Sequence, residues 1–107
     1  KYDAVYPAVP SADTIIRTND ELLVEDIPIR RYMMRGQTPQ CFKTEVIKKT
    51  HLIAQNDEKV DEEVTNDCGL VQRYKLCKIK VVEGNRENIK ITYPEDLILI
   101  QRLLAKY

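Results

Sequence analysis

The sequence predicts a mixed α/β fold, and three features of the chain carry that expectation. Short β-branched runs broken by Pro, Asn and Asp fill the first third. An amphipathic helical pattern follows Phe42, and a capped, apolar helical pattern occupies the last fifteen or so residues. Hydrophobic residues make up 43% of the 107 and charged residues 32%, a globular balance that argues against disorder. A single domain over residues 1–107 is the starting expectation at this length.

Charge excludes several classes of partner. The 17 basic and 17 acidic residues cancel, so no global positive field draws the chain to nucleic acid or an anionic membrane. No apolar run approaches the roughly 20 residues that cross a bilayer, and Lys1-Tyr2-Asp3-Ala4 lacks the apolar stretch of a secretion signal. A cytoplasmic protein with no nucleic-acid or membrane partner is expected. Cys41, Cys68 and Cys77 are odd in number and form no CxxC pair, so they read as reduced thiols. The chain does not begin with Met and opens almost at once into Ala4-Val5-Tyr6-Pro7-Ala8-Val9, which reads as a cut through a larger fold.

Residues 4–9 form a short strand ended by Pro10, which cannot donate to a ladder. Asp13 to Arg17 is β-branched, Thr18-Asn19-Asp20-Glu21 supplies turn chemistry, and Leu22-Leu23-Val24 follows. This predicts a protruding β-hairpin over about 13–28 that keeps Ile15, Ile16, Leu22 and Val24 to bury. Beyond Phe42, the stripe Val46, Ile47, Thr50, Ile53 and Ala54 predicts an amphipathic surface helix. The acidic stretch 56–66 reads as a loop, and Thr65-Asn66-Asp67 as the cap of a short helix through Tyr74, weakened by Gly69.

Alternation predicts one strand over 77–82, a turn at Glu83-Gly84-Asn85, and a second short strand over 88–91. Thr92 with Glu95 reads as a capping box for the last helix, with Pro94 in its first turn. Leu97, Ile98, Ile100, Leu103 and Leu104 give that helix a broad apolar face.

Chemistry is sparse. The single His51 has no partner at helical ligand spacing, so neither a zinc site nor a catalytic triad is signalled. The acidic run 57–63 lacks the glycine and alternating oxygens of a calcium loop. Gly36, Gly69 and Gly84 are isolated, so no glycine-rich phosphate loop is present. What remains is a set of cations near turns: Arg17, Arg30, Arg31, Arg35 and Lys90. Among them Lys90, between Ile89 and Ile91 and just before a capped helix, can aim an ammonium into a cleft. Arg30, on an extended approach to Gln37-Thr38-Pro39-Gln40, can clamp a phosphate bidentately.

Three strings in register resemble the cytidylyltransferase family, which includes the methylerythritol-phosphate and ribitol-5-phosphate enzymes: AVPSADTIIR at 8–17, RRYMMRGQTPQCF at 30–42 and VVEGNRENIKITYPEDL at 81–97. The resemblance spans essentially the whole chain. It implies the C-terminal half of a doubly wound nucleotidyltransferase fold, with a β-hairpin dimerisation arm and with the N-terminal CTP-binding part absent. It also implies roles. Thr14 matches the arm threonine that contacts substrate phosphate across the dimer, Arg30 the arginine that positions the acceptor phosphate, and Lys90 a substrate-positioning lysine. Arg30 and Lys90 are thus the expected catalytic, substrate-positioning pair, and Thr14, Arg30 and Lys90 the substrate-binding set. Mg2+ is the implied cofactor, with its ligands in the absent part.

The Gly-Gln-Thr-Pro-Gln string favours ribitol 5-phosphate as the polyol-phosphate acceptor, with methylerythritol phosphate as the alternative and CTP as the donor to either. A reading of a different class is a non-catalytic dimerisation module.

Overall fold

The computed structural model describes residues 2–107. In chain order its elements are strands β1 (Ala4–Pro10), β2 (Arg17–Thr18) and β3 (Val24–Asp26), a single 3-10 turn at Arg30–Tyr32, and strands β4 (Met34–Gly36) and β5 (Cys41–Phe42). Helices α1 (Thr44–Ala54), α2 (Val60–Glu63) and α3 (Asp67–Tyr74), strand β6 (Ile79–Glu83) and helix α4 (Pro94–Leu104) complete it. Strand β1 is the shared partner of a four-stranded sheet. It pairs antiparallel with β4 through Ala8↔Gly36, Val9↔Arg35 and Pro10↔Met34, and antiparallel with β5 through Ala4↔Phe42 and Val5↔Cys41. It also pairs with β6. Strands β2 and β3 form a separate two-stranded ribbon.

The chain divides into two compact units: residues up to Pro7 with Thr38–Val82, and Ala8–Gln37 with Glu83–Tyr107. In the first, α1 packs on α3. The stripe read from the sequence is the covered face of α1: Thr50 is fully buried, and Val46, Ile47, Ile53 and Ala54 are half-buried. The Thr50 hydroxyl donates to the Val46 carbonyl at 2.7 Å, so its burial leaves no polar atom unpaired. Cys68, Leu70 and Val71 of α3 and Ala4 of β1 complete this small core.

The cap of α3 is as expected: Asn66 Oδ1 accepts from the Gly69 amide at 2.7 Å. Its Nδ2 donates to the Tyr6 hydroxyl at 2.9 Å. Gly69 serves this cap rather than weakening it, because a Cβ there would lie 3.0 Å from Val64 and 3.1 Å from Asn66 Oδ1. The helix closes at Lys75, in the left-handed conformation at φ 53°.

The stretch expected as a loop contains the one-turn helix α2, flanked by a polar network centred on Asp57. Arg73 Nε donates to Asp57 Oδ2 at 2.6 Å, the Tyr74 hydroxyl donates to the same oxygen at 2.8 Å, and Arg73 also reaches Glu63 at 2.5 Å. The network ties the loop before α2 to the C-terminal turn of α3.

In the second unit the hairpin is shorter than expected. Its regular part runs from Arg17 to Asp26, with an irregular register at Arg17/Thr18. The residues expected to be buried by it, Ile15, Ile16, Leu22 and Val24, are all exposed, Leu22 by 82%. Two further expectations are corrected. Residues 88–91 form no strand: the Asn88 amide donates to the Asn85 carbonyl and the Ile89 amide to that of Glu87, closing turns where a ladder was expected. The box at α4 is shifted by one residue, with Tyr93 at the cap and Asp96, not Glu95, reaching back. The apolar face of α4 is largely uncovered, since Leu97, Ile98, Leu99 and Leu104 are exposed and Ile100 and Leu103 half-buried.

The Asp57 network has a pH signature. Its carboxyl is lowered from 3.8 to about 2, first by the hydrogen bond from Arg73 and then by that from Tyr74. A carboxyl lowered in the folded state stabilises fully above its unfolded value, and that contribution is lost as pH falls through the folded one. Stability should therefore decline between 3.8 and about 2, and Asp57→Asn should be less stable at neutral pH with a flatter decline over that window. Denaturant unfolding at a series of pH values checks both; equal slopes in the two proteins would exclude Asp57 as the titrating group.

Candidate functional site

The cations singled out in the sequence lie in the second unit: Arg17 on β2, Arg30 and Arg31 in the 3-10 turn, Arg35 on β4, and Lys90 outside any regular element. Arg30 opens the 3-10 turn, is exposed, and donates from Nη1 to the Ala12 carbonyl at 3.4 Å. This bond ties Arg30 to the segment that carries Thr14, itself exposed. Arg31 is engaged differently: its guanidinium lies 4.8 Å from the centre of the Tyr32 ring and Nη2 donates to the Tyr32 hydroxyl at 3.0 Å. Of the adjacent arginines, Arg31 is engaged with its own neighbour's ring, whereas Arg30 reaches across to the Ala12 carbonyl.

Lys90 lies between the turn after β6 and the start of α4. It lines an open cavity of about 320 Å³ with Arg35, Thr92, Tyr93 and Asp96 among its walls. Strand alternation, the reason given for its orientation, does not operate there; the cavity placement has another cause. Upstream, Gln37 Nε2 donates to the carbonyls of Asn85 at 2.8 Å and Asn88 at 3.1 Å, and Gln37 Oε1 accepts from the Asn85 amide at 3.2 Å. Downstream, Asp96 Oδ2 accepts from the amides of Thr92 and Tyr93, each at 2.9 Å. Those two bonds hold the Asp96 carboxyl below its ordinary value, the Tyr93 amide contributing most. It stays ionised as a helix cap on the same cavity wall as Lys90.

Neither Thr14 nor Arg30 lines that cavity. The structure thus brings Arg30 beside the Thr14 segment and Lys90 beside Arg35, as two separate pairings. Arg35 had been visible only as one cation among several. The signal that distinguishes it is its place on β4, opposite Val9 of β1.

A larger cavity, about 500 Å³, lies in the first unit and is lined by Thr38, Gln40, Asp61, Asn66 and Asp67 among others; it contains none of Thr14, Arg30 and Lys90. His51 Nε2 and Asp67 Oδ1 meet at 2.9 Å on the exposed side of α1 and α3. Among the described residues no group of three or more His, Cys, Asp and Glu side chains could hold a metal ion. The three cysteines are free thiols. Burial, with lesser repulsion from Asp67, pushes Cys68 up to about 11, so it is no nucleophile. No helix among the described residues is long and apolar enough to cross a membrane.

The family model described as 2-C-methyl-D-erythritol 4-phosphate cytidylyltransferase matches residues 1–106. The chain belongs to that family. The cytidylyltransferase of Caldanaerobacter subterraneus subsp. tengcongensis is 41% identical over 105 residues, covering 98% of this chain and 44% of that protein. That of Alkaliphilus metalliredigens is 42% identical, covering 94% and 40%. Among solved structures, 4-diphosphocytidyl-2C-methyl-D-erythritol synthase from Anaerococcus prevotii superposes with a TM-score of 0.85 at 35% identity, over 98% of this chain and 47% of that one. The Thermus thermophilus cytidylyltransferase gives 0.75 at 30%, over 97% and 49%.

The mixed α/β fold is therefore that of the methylerythritol-phosphate cytidylyltransferases, and the chain spans less than half the length of these relatives. These relatives are named for 2-C-methyl-D-erythritol 4-phosphate, the alternative acceptor, and not for ribitol 5-phosphate, the one expected from the Gly-Gln-Thr-Pro-Gln string.

The bracket around Lys90 can be probed directly. Asp96→Ala should raise hydrogen exchange at the Thr92 and Tyr93 amides while leaving the buried amides of α3 unchanged. Unaltered exchange at Thr92 and Tyr93 would show that Asp96 does not hold them.

Proposed function

We propose that this chain is the acceptor-gripping portion of a cytidylyltransferase that joins CMP, taken from CTP, to 2-C-methyl-D-erythritol 4-phosphate. The single observation that supports this most is the family match over residues 1–106, with relatives named for that acceptor. Its placement in the C-terminal half of the enzyme rests on the three motif strings alone, because the matched shares of the relatives fix extent and not position.

In the reaction an oxygen of the acceptor phosphate forms a bond to the α-phosphorus of CTP, and the bond from that phosphorus to the bridging oxygen breaks, releasing pyrophosphate. Such a transfer depends on holding two anions in line and screening their charge. Thr14, Arg30 and Lys90 supply that grip: a hydroxyl, a planar fork suited to two phosphate oxygens, and a point charge at a cavity wall. The triphosphate and the Mg2+ that accompanies it would be held by residues outside this chain, and the whole enzyme would act in the cytoplasm. The exposed apolar residues of the hairpin and of α4 are the surfaces through which the chain would meet the rest of its subunit and a second copy in a homodimer.

Pyrophosphate release by the full-length protein, supplied with CTP and either acceptor, tests the reading. Turnover with 2-C-methyl-D-erythritol 4-phosphate is expected, and turnover with ribitol 5-phosphate alone would overturn it. In the same assay Arg30→Ala and Lys90→Ala should each lower kcat/KM for the acceptor by roughly a hundredfold, the scale for losing a charge-assisted phosphate contact. CTP binding should be nearly intact; an equal loss there would mean that these cations serve the donor.

A further inference from the structure

We propose that Gln37 is the positioning residue for Lys90: its carboxamide clamps the turn from Gly84 to Asn88 and thereby sets where the lysine ammonium stands. The inference rests on the reading of Lys90 as a ligand of the acceptor phosphate and extends it to the residue that places that ligand.

Lys90 belongs to no helix and no strand, so no regular backbone ladder fixes it. Its segment is held by side chains instead; Glu87 in the preceding turn accepts from Lys106 and Tyr107, and the Thr92 hydroxyl donates to the Lys90 carbonyl. Asp96 pins the downstream end at Thr92 and Tyr93. Gln37 pins the upstream end with three bonds, two donated by Nε2 to the Asn85 and Asn88 carbonyls and one accepted by Oε1 from the Asn85 amide. Only a primary amide offers two donors and an acceptor on one planar group. Glutamate would place a carboxylate against two carbonyls, and asparagine is one methylene too short for the same reach.

The turn is shaped to receive this group. Gly84 donates its amide to the Ala8 carbonyl at 2.9 Å, anchoring the turn to β1, and a Cβ on Gly84 would lie 2.0 Å from Gln37 Oε1. The carboxamide thus occupies space that any other residue at 84 would fill. Gln37 also follows directly on β4, whose Arg35 lines the same cavity as Lys90. One clamp therefore registers the strand carrying Arg35 against the segment carrying Lys90, and sets the spacing of the two cations that face that cavity.

The test is a double-mutant cycle on the full-length protein, with Gln37→Ala, Lys90→Ala and the pair, read as kcat/KM for 2-C-methyl-D-erythritol 4-phosphate at saturating CTP and as KM for CTP. Gln37→Ala should lower the acceptor kcat/KM by about tenfold, the order expected when a reacting group's holder is displaced by a fraction of an ångström, and leave KM for CTP unchanged. In the Lys90→Ala background the same substitution should cost nothing further, because its effect passes through the lysine. Gly84→Ala, which expels the carboxamide without touching it, should reproduce the tenfold loss, and Gln37→Glu serves if Gln37→Ala does not fold. Full acceptor kcat/KM in Gln37→Ala, or losses that multiply in the double mutant, would overturn the inference and leave Gln37 a staple of the turn. Full acceptor kcat/KM in Lys90→Ala would overturn the earlier reading of the lysine itself.

Discussion

Hydrogen bonding to β1 is the constraint on which the described architecture depends. β4, β5 and β6 all pair with this one strand. Ala4, Ala8 and Val9, three of the few fully buried apolar residues, also lie on it. The small side chains matter, because a strand covered closely has room for Ala where it has none for Leu. The Gly84 turn is tied to the same strand through Ala8, so the segment leading to Lys90 takes its origin from β1 as well. A loss at β1 would reach the candidate site through Val9, which pairs with Arg35, and through Ala8, which holds the Gly84 turn.

Most of the helical structure was legible in the sequence, and for identifiable reasons. The α1 stripe and the Asn66 cap follow from local chemistry that tertiary packing did not override. The reading failed where side chains competed with backbone ladders. Residues 88–91 alternate as a strand should, yet the backbone of Asn85 and Asn88 is taken up by a carboxamide from Gln37, far away in sequence. At α4 the start was visible but the box was shifted, because Asp96 lies one residue beyond Glu95 and its carboxylate reaches both Thr92 and Tyr93. The apolar residues of the hairpin pointed to burial and are exposed, since a two-stranded ribbon has only one face-to-face partner and here none of the described residues provides it.

The site was legible only in outline. Thr14 and the specific roles came from resemblance; residue chemistry by itself singled out Arg30 and Lys90 among the cations without giving them a substrate. The relatives' names favour the alternative acceptor over ribitol 5-phosphate, and the fold shows why the Gly-Gln-Thr-Pro-Gln string is a weak guide to it. Gln37 was weighed as a marker of the ribitol branch, whereas in the fold its side chain is spent on the backbone of a neighbouring turn. A residue engaged in that way reports on turn geometry and says little about which polyol is bound. Arg35 was missed as a particular residue because nothing local separates it from Arg17 or Arg31; its place beside Lys90 appears only once β4 and the turn after β6 are in position.

The tip of the hairpin carries a consequence for association. Asn19 Oδ1 accepts from the amides of Glu21 and Leu23 at 2.9 and 3.1 Å, and Leu22 stands between them in the left-handed region at φ 63°, where a bulky side chain is disfavoured. The tip is therefore already ordered while its leucine is still in water. Docking such a knob forfeits little conformational entropy, because the freedom that a limp loop surrenders on contact has here been surrendered during folding. A surface that received Leu22 would hold it with less buried area than a flexible loop would require.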